Sequence, residues 1–184
     1  CCIILFMLCS SFLKNLTLSC YLIQGTKIVF QKELKLLSFI YVGGMLVEII
    51  GVSSDLLFGA YSYGAELGLK AIDVPVVMGL NWYCIVVASS NIARHFVKHP
   101  ALLYQALFAA AACTSLDFLI EPVAIAKDFW SWGGGAIPIF NYVCWFVFSF
   151  VFSLVYLKNT QKSNNTAIAL FFIWIIFFTI LNIV

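Results

Sequence analysis

Six long apolar runs separated by short polar breaks are what most limits how this chain can fold. A helix needs roughly 20 residues to cross a hydrocarbon core of about 30 Å, and runs at about 1–23, 34–52, 75–93, 101–121, 140–157 and 166–183 come close to that length. Residues of the AVILMFWYC set fill 64% of the 184 positions and charged residues 10%, against roughly 45–50% and about 25% in soluble domains. A water-soluble globular domain is excluded. The expected fold is all-α: a polytopic membrane helix bundle of about six transmembrane helices, one integral membrane domain over 1–184, multi-pass in a cell or inner membrane. The run that opens at Cys1 has no basic flank before it and is not read as an intact signal peptide, so the natural N-terminus is expected to lie further upstream.

The few charges sort by connection. Lys27, Lys32 and Lys35 lie in the first, Arg94 and Lys98 in the third, and Lys158 and Lys162 in the fifth, against Lys70 and Lys127 in the second and fourth. By the positive-inside tendency the odd connections face the cytoplasm. The second and fourth, about 53–74 and 122–139, then share the opposite side. A net charge of +2 is far too small for a nucleic-acid footprint. The cysteines (Cys1, Cys2, Cys9, Cys20, Cys84, Cys113, Cys144) sit almost all in apolar runs without zinc-site spacing, so they read as small packing residues. His95 and His99 share a spacing that metal sites use, but they stand beside Arg94 and Lys98 at a membrane edge. They read as solvated, and no metal is expected.

Two connections are not plain linkers. The second carries Phe58-Gly59-Ala60-Tyr61-Ser62-Tyr63-Gly64, and the fourth Trp130-Ser131-Trp132-Gly133-Gly134-Gly135. An interfacial aromatic belt accounts for Tyr61, Tyr63, Trp130 and Trp132 but not for the glycines. Glycine permits positive φ and close backbone approach, so both loops could fold back over a cavity; a plain re-entrant turn fits the composition equally well. Glu48 lies near the end of the second run, which also holds the close-packing pair Gly43-Gly44. Asp117 and Glu121 are four residues apart on one helical face at the end of the fourth, before Pro122. An acid inside a membrane costs on the order of 2.5–3.5 kcal/mol on insertion scales, so each asks for a partner or a task. The alternative is that Asp117 and Glu121 have reached the interface and are hydrated. Asn81, Trp82 and Asn141 are further polar spots; helix contacts and caps are the ordinary uses of Asn.

In these residues the sequence resembles the carotenoid biosynthesis membrane proteins of the bisanhydrobacterioruberin hydratase and γ-carotene 1'-hydroxylase type. The matching elements are Glu48-x-x-Gly51, Phe58-Gly59-x-Tyr61-x-Tyr63, Leu67-Gly68, Val74-Pro75, Trp82, Asp117-x-x-x-Glu121-Pro122, Trp130-x-Trp132-Gly133-Gly134 and Ile137-Pro138-x-x-Asn141-x-x-x-Trp145. They run in order over about 44–150. Glu121 stands where the family pattern usually has Asp, and Ala136 and Cys144 where it usually has glycine. The resemblance implies cofactor-free hydration of the terminal C=C of an acyclic carotenoid end to a tertiary alcohol. It implies Asp117 and Glu121 as an acid/base pair, Glu48 as third partner, and Tyr61, Tyr63, Trp82, Trp130, Trp132 and Asn141 as residues that line the substrate. The implied partners are a lipid-soluble carotenoid, the bilayer and neighbouring enzymes of the same pathway. A small-solute or ion transporter, or a pigment-binding subunit without activity, are the competing readings; acids gathered at one end disfavour the first and go unexplained by the second.

Overall fold

A computed structural model describes residues 26–98 and 101–184, with side chains from Gln31 onward. The run expected over 1–23 with Lys14, the cysteines Cys1, Cys2, Cys9 and Cys20, and His99 lie outside the described residues. Five helices follow one another: α1 (Thr26–Ser54), α2 (Val77–Phe96), α3 (Leu102–Ala126), α4 (Ile139–Asn159) and α5 (Asn165–Leu181). They correspond in order to the second through sixth apolar runs. Short strands occupy the two unusual connections: β1 (Tyr61–Tyr63), β2 (Lys70–Ala71) and β3 (Val74–Pro75) between α1 and α2, and β4 (Trp130–Trp132) between α3 and α4.

Three helical segments, Gln31–Ser54, Leu102–Ala126 and Ile139–Asn159, are long and apolar enough to cross a membrane. The fourth apolar helix, α5, has 17 residues. Helix α2 is more polar for a positional reason: it packs against each of the other four, and every residue from Trp82 to Ala93 is buried. Shielded on all sides, it accommodates Ser89, Ser90 and Asn91 inside the bundle.

The polarity of the molecule is inverted relative to a soluble protein. Phe39, Val42, Leu46 and Ile50 on α1, and Phe140, Val143, Val147 and Val151 on α4, recur at three- and four-residue spacing and face outward. Meanwhile Glu48, Asp117, Glu121 and Asn141 are buried, each at most 3% exposed. Continuous outward apolar stripes of this extent are stable against lipid and unstable against water. Close packing at the centre depends on Gly43 and Gly44: a Cβ on Gly44 would lie 2.6 Å from the Trp82 indole, and one on Gly43 2.8 Å from the Phe152 ring. The bare backbone of α1 therefore settles onto α2 and α4.

One expectation is corrected. The fourth run was expected to stop near residue 121, before Pro122, but α3 continues through Pro122 to Ala126. Proline removes one i→i−4 hydrogen bond, here to the Phe118 carbonyl. Because Pro122 lies on the exposed side of the helix, its ring displaces no packed neighbour. At the opposite end of the bundle, Arg94 serves as more than a topology charge. Its guanidinium donates to the carbonyls of Leu157 (3.2 Å) and Thr160 (2.9 Å), which α4 leaves open at its C-terminus, and to that of Lys162 (3.2 Å) in the linker beyond it. Neighbouring His95 is exposed.

Candidate active site

The two aromatic loops clasp each other. Strand β1 pairs antiparallel with β4 in the register Tyr61↔Trp132, Ser62↔Ser131 and Tyr63↔Trp130. Side chains alternate across a strand, so all four rings fall on one face and both serines on the other. The serines are exposed and their hydroxyls lie 3.3 Å apart. The rings turn down onto the helices and pack together, Tyr61 against Trp132 at 5.3 Å and Tyr63 against Trp130 at 6.1 Å between centroids. A belt at headgroup depth would leave these rings outward, so the loops form a cap.

Two glycines make the clasp possible. Gly59, with φ of +114°, turns the chain into β1 and comes directly after Phe58, whose own φ of +66° aims its buried ring inward. Gly64 donates its N–H to the Phe129 carbonyl at 2.9 Å, and a Cβ there would run into the Asp128 carbonyl. Gly64→Ala is therefore expected to weaken loop docking by about 1–3 kcal/mol, the usual cost of overpacking. Limited proteolysis of the cap should accelerate in that variant and stay unchanged in Gly134→Ala, since a Cβ on Gly134 meets nothing within 4 Å.

Under the cap the three acids converge on one cavity. Glu48 accepts three hydrogen bonds, from Tyr61 Oη (2.7 Å) and Tyr63 Oη (2.6 Å) on Oε2 and from Trp82 Nε1 (2.9 Å) on Oε1. Glu121 Oε2 accepts from both Trp130 Nε1 and Trp132 Nε1 at 3.0 Å, and its Oε1 from Asn141 Nδ2 at 3.3 Å. The same Asn141 nitrogen reaches Asp117 Oδ2 at 3.1 Å, so one amide bridges the two acids of a single helical turn. Asn141 thus works as a bridge, while Pro138 caps α4. Desolvation, then the charge of Glu48, pushes the Tyr61 and Tyr63 hydroxyls well above the usual phenol range, so both remain donors.

Every sequence-expected site residue belongs to this arrangement. Glu48, Tyr61, Tyr63, Asp117, Glu121, Trp130, Trp132 and Asn141 line the cavity directly. Trp82 stands one step back: it holds Glu48 and stacks on Trp145 with centroids 4.2 Å apart and planes 12° from parallel. The hydrated-interface alternative for Asp117 and Glu121 does not hold, since each is 2% exposed. Phe58, Met78 and Trp145 also line the space without having been expected there. Phe58 and Trp145 stood inside the matched motifs; Met78 carries no signal that would separate it from any core methionine. The lining contains no lysine, arginine or histidine, and the carboxyls are held by neutral N–H and O–H donors. About 20 Å³ is open to the centre of a water molecule, above the roughly 10–15 Å³ that one water requires. Among the described residues no group of His, Cys, Asp and Glu is arranged to hold a metal ion.

Fold and site together define a helical membrane protein whose buried carboxyls meet under an aromatic clasp. The chain belongs to the carotenoid biosynthesis protein family, whose pattern it matches over residues 5–184. That match is wider than the stretch of about 44–150 in which the motifs are found. No curated protein and no solved structure matches the chain.

Proposed function

We propose that this protein is a multi-pass membrane enzyme, a hydro-lyase that adds water across the terminal C=C of an acyclic carotenoid end to give a tertiary alcohol. The observation that carries this reading is the cavity itself: three buried carboxyls, aromatic faces and room for about one water, with no basic residue in the lining. Hydration of a trisubstituted alkene needs a proton on the less substituted carbon, brief stabilisation of the tertiary cation, and a base for the incoming water. Hydrogen bonds to a carboxyl favour its ionised form. Glu48 and Glu121 each accept three, whereas Asp117 shares one amide, so Asp117 is the carboxyl that carries the proton.

In the reaction the Asp117 O–H proton passes to the alkene and its π pair forms the new C–H bond. The cation left on the tertiary carbon faces the Tyr61, Trp130 and Trp132 rings, where cation–π contact is worth about 2 kcal/mol or more once desolvated. Water adds through oxygen and gives a proton to Glu121, and return of that proton to Asp117, one helical turn away, restores the site. The sum is alkene plus water, with no electron transfer. Glu48 holds Tyr61, Tyr63 and Trp82 in place and adds negative charge near the cation.

Family membership counts against the transporter reading. The test is pigment analysis in cells that make an acyclic carotenoid: expression should yield a product heavier by one water. An unchanged pigment profile, with the protein shown to be in the membrane, overturns the proposal.

A further inference from the structure

The helical hydroxyls divide into two groups. Ser54, Thr114, Ser115 and Thr160, exposed or half-buried, each donate to the carbonyl four residues back on their own helix, the ordinary use of a hydroxyl in an apolar helix. Ser89 of α2 and Ser149 and Ser153 of α4 do not: all three are wholly buried, and none has a nitrogen or oxygen partner in the protein. They are turned from their own backbones into the bundle. Buried polar groups nearly always have a partner, so three without one ask for a ligand. What Ser89 and Ser149 do meet is the Cys113 thiol of α3, a weak partner that is itself directed at the Ile85 carbonyl at 3.9 Å. Cys113 stands one helical turn from Asp117, and Ser149 two turns from Asn141, the amide that bridges Asp117 and Glu121. Ser153 follows Ser149 by one turn, and Tyr156 comes three residues later, its Oη accepting from Asn91 Nδ2 at 3.1 Å. Beyond them stand Asn164, whose N–H donates to Asn91 Oδ1 at 2.7 Å, and half-buried Arg94. Polar groups thus run from the acid cavity to the Arg94 end of the bundle. Toward the cap the cavity meets the Tyr61, Tyr63, Trp130 and Trp132 rings instead.

We propose that Ser89, Ser149 and Ser153 hold a file of buried water molecules that links the acid cavity with the Arg94 end of the bundle and supplies the water added to the alkene. Side chains one helical turn apart stand about 5.4 Å from each other along the axis. That is too far for a direct hydrogen bond and close to the span of one bridging water with two bonds of about 2.8 Å. The occupant follows from the rungs. Neutral hydroxyls and a thiol both donate to water and accept from it, but they offer an ion no charge to balance it, and a hydrocarbon would leave the hydroxyls unpaired. The use of the file as a supply rests on the hydration reading; the binding of water does not.

The test uses the full chain in bilayer nanodiscs, mixed rapidly with water carrying heavy oxygen and then exposed to a short X-ray pulse. The pulse converts bound water into hydroxyl radicals that oxidise adjacent side chains, and the modified residues are mapped by mass spectrometry. Cys113 and Tyr156 should be modified and should take up heavy oxygen after mixing. Cys84, equally buried but five residues from Ser89 and so on another face of α2, should be modified far less. Ser149→Ala and Ser153→Ala nearly keep the size of the site and remove its donors. Together they should lower modification of Cys113 and Tyr156 about fivefold, the effect on water occupancy of roughly one lost hydrogen bond. Modification of both residues no greater than that of Cys84, or unchanged in the double variant, overturns the proposal. So does heavy oxygen that never reaches Cys113, because a sealed site is no route. The two readings fail separately. An exchanging file without any hydrated product leaves the water path standing and removes the hydration; hydrated product with Cys113 and Tyr156 unmodified does the reverse.

Discussion

Asp117→Asn should abolish hydrated pigment while the protein still accumulates in the membrane. The side chain keeps its shape and remains beside Asn141, but an amide cannot deliver a proton to an alkene. General acid catalysis contributes typically about 10²–10⁴-fold, and a simple alkene offers no other route to the cation, so the loss should lie at the upper end of that range. Glu121→Gln should fall in the same way, and the double variant little further, because the two carboxyls act as one unit. Product measured per unit of membrane-inserted protein checks this. Full activity in both single variants would remove the pair from the mechanism.

Glu48→Leu should produce the largest structural effect of any single change. Removing the carboxylate leaves Tyr63 Oη and Trp82 Nε1 without their acceptor and Tyr61 Oη with only its 3.4 Å bond to the backbone carbonyl of residue 48. Each buried donor left unpaired costs about 1–3 kcal/mol, and two of them with the weakened Tyr61 bond amount to a large share of a typical folding stability of about 5–15 kcal/mol. Two of the three donors belong to β1, so the damage should be concentrated in the cap. Thermal denaturation in detergent should show a large drop in midpoint, and loop proteolysis should accelerate ahead of the helices. Glu48→Gln retains one acceptor oxygen and should give an intermediate result. A Glu48→Leu protein with unchanged midpoint would mean that the three bonds do not hold the clasp.

How much of this was legible in advance varies with the range of the interaction. Helices α1 to α5 were visible because lipid demands long apolar runs, and the acids stood out because so few charges occur in them. Asp117 and Glu121 share a face by helical spacing alone. The clasp was not legible: strands of three residues have no measurable periodicity, and Ser62 and Ser131 meet across 69 positions of chain. Composition therefore left the loops open between a cap and a re-entrant turn. Asn141 was equally ambiguous, since an Asn near a helix start is ordinarily a cap, and its bridging role exists only once α3 and α4 are packed. Arg94 shows the same limit from the other end of the bundle. Its charge was read as a topology signal, but its geometry closes the C-terminus of α4. Pro122 misled because a rule for helix interiors was applied to an exposed helix face.

In a hydration the new hydroxyl oxygen comes from water. The most direct measurement supplies the membrane-embedded protein and an acyclic carotenoid with water carrying heavy oxygen, and in a parallel run with ordinary water under heavy-oxygen dioxygen gas. One heavy oxygen per hydrated end is expected from labelled water and none from labelled gas. Oxygen drawn from the gas, or a product with no added oxygen, would contradict hydration.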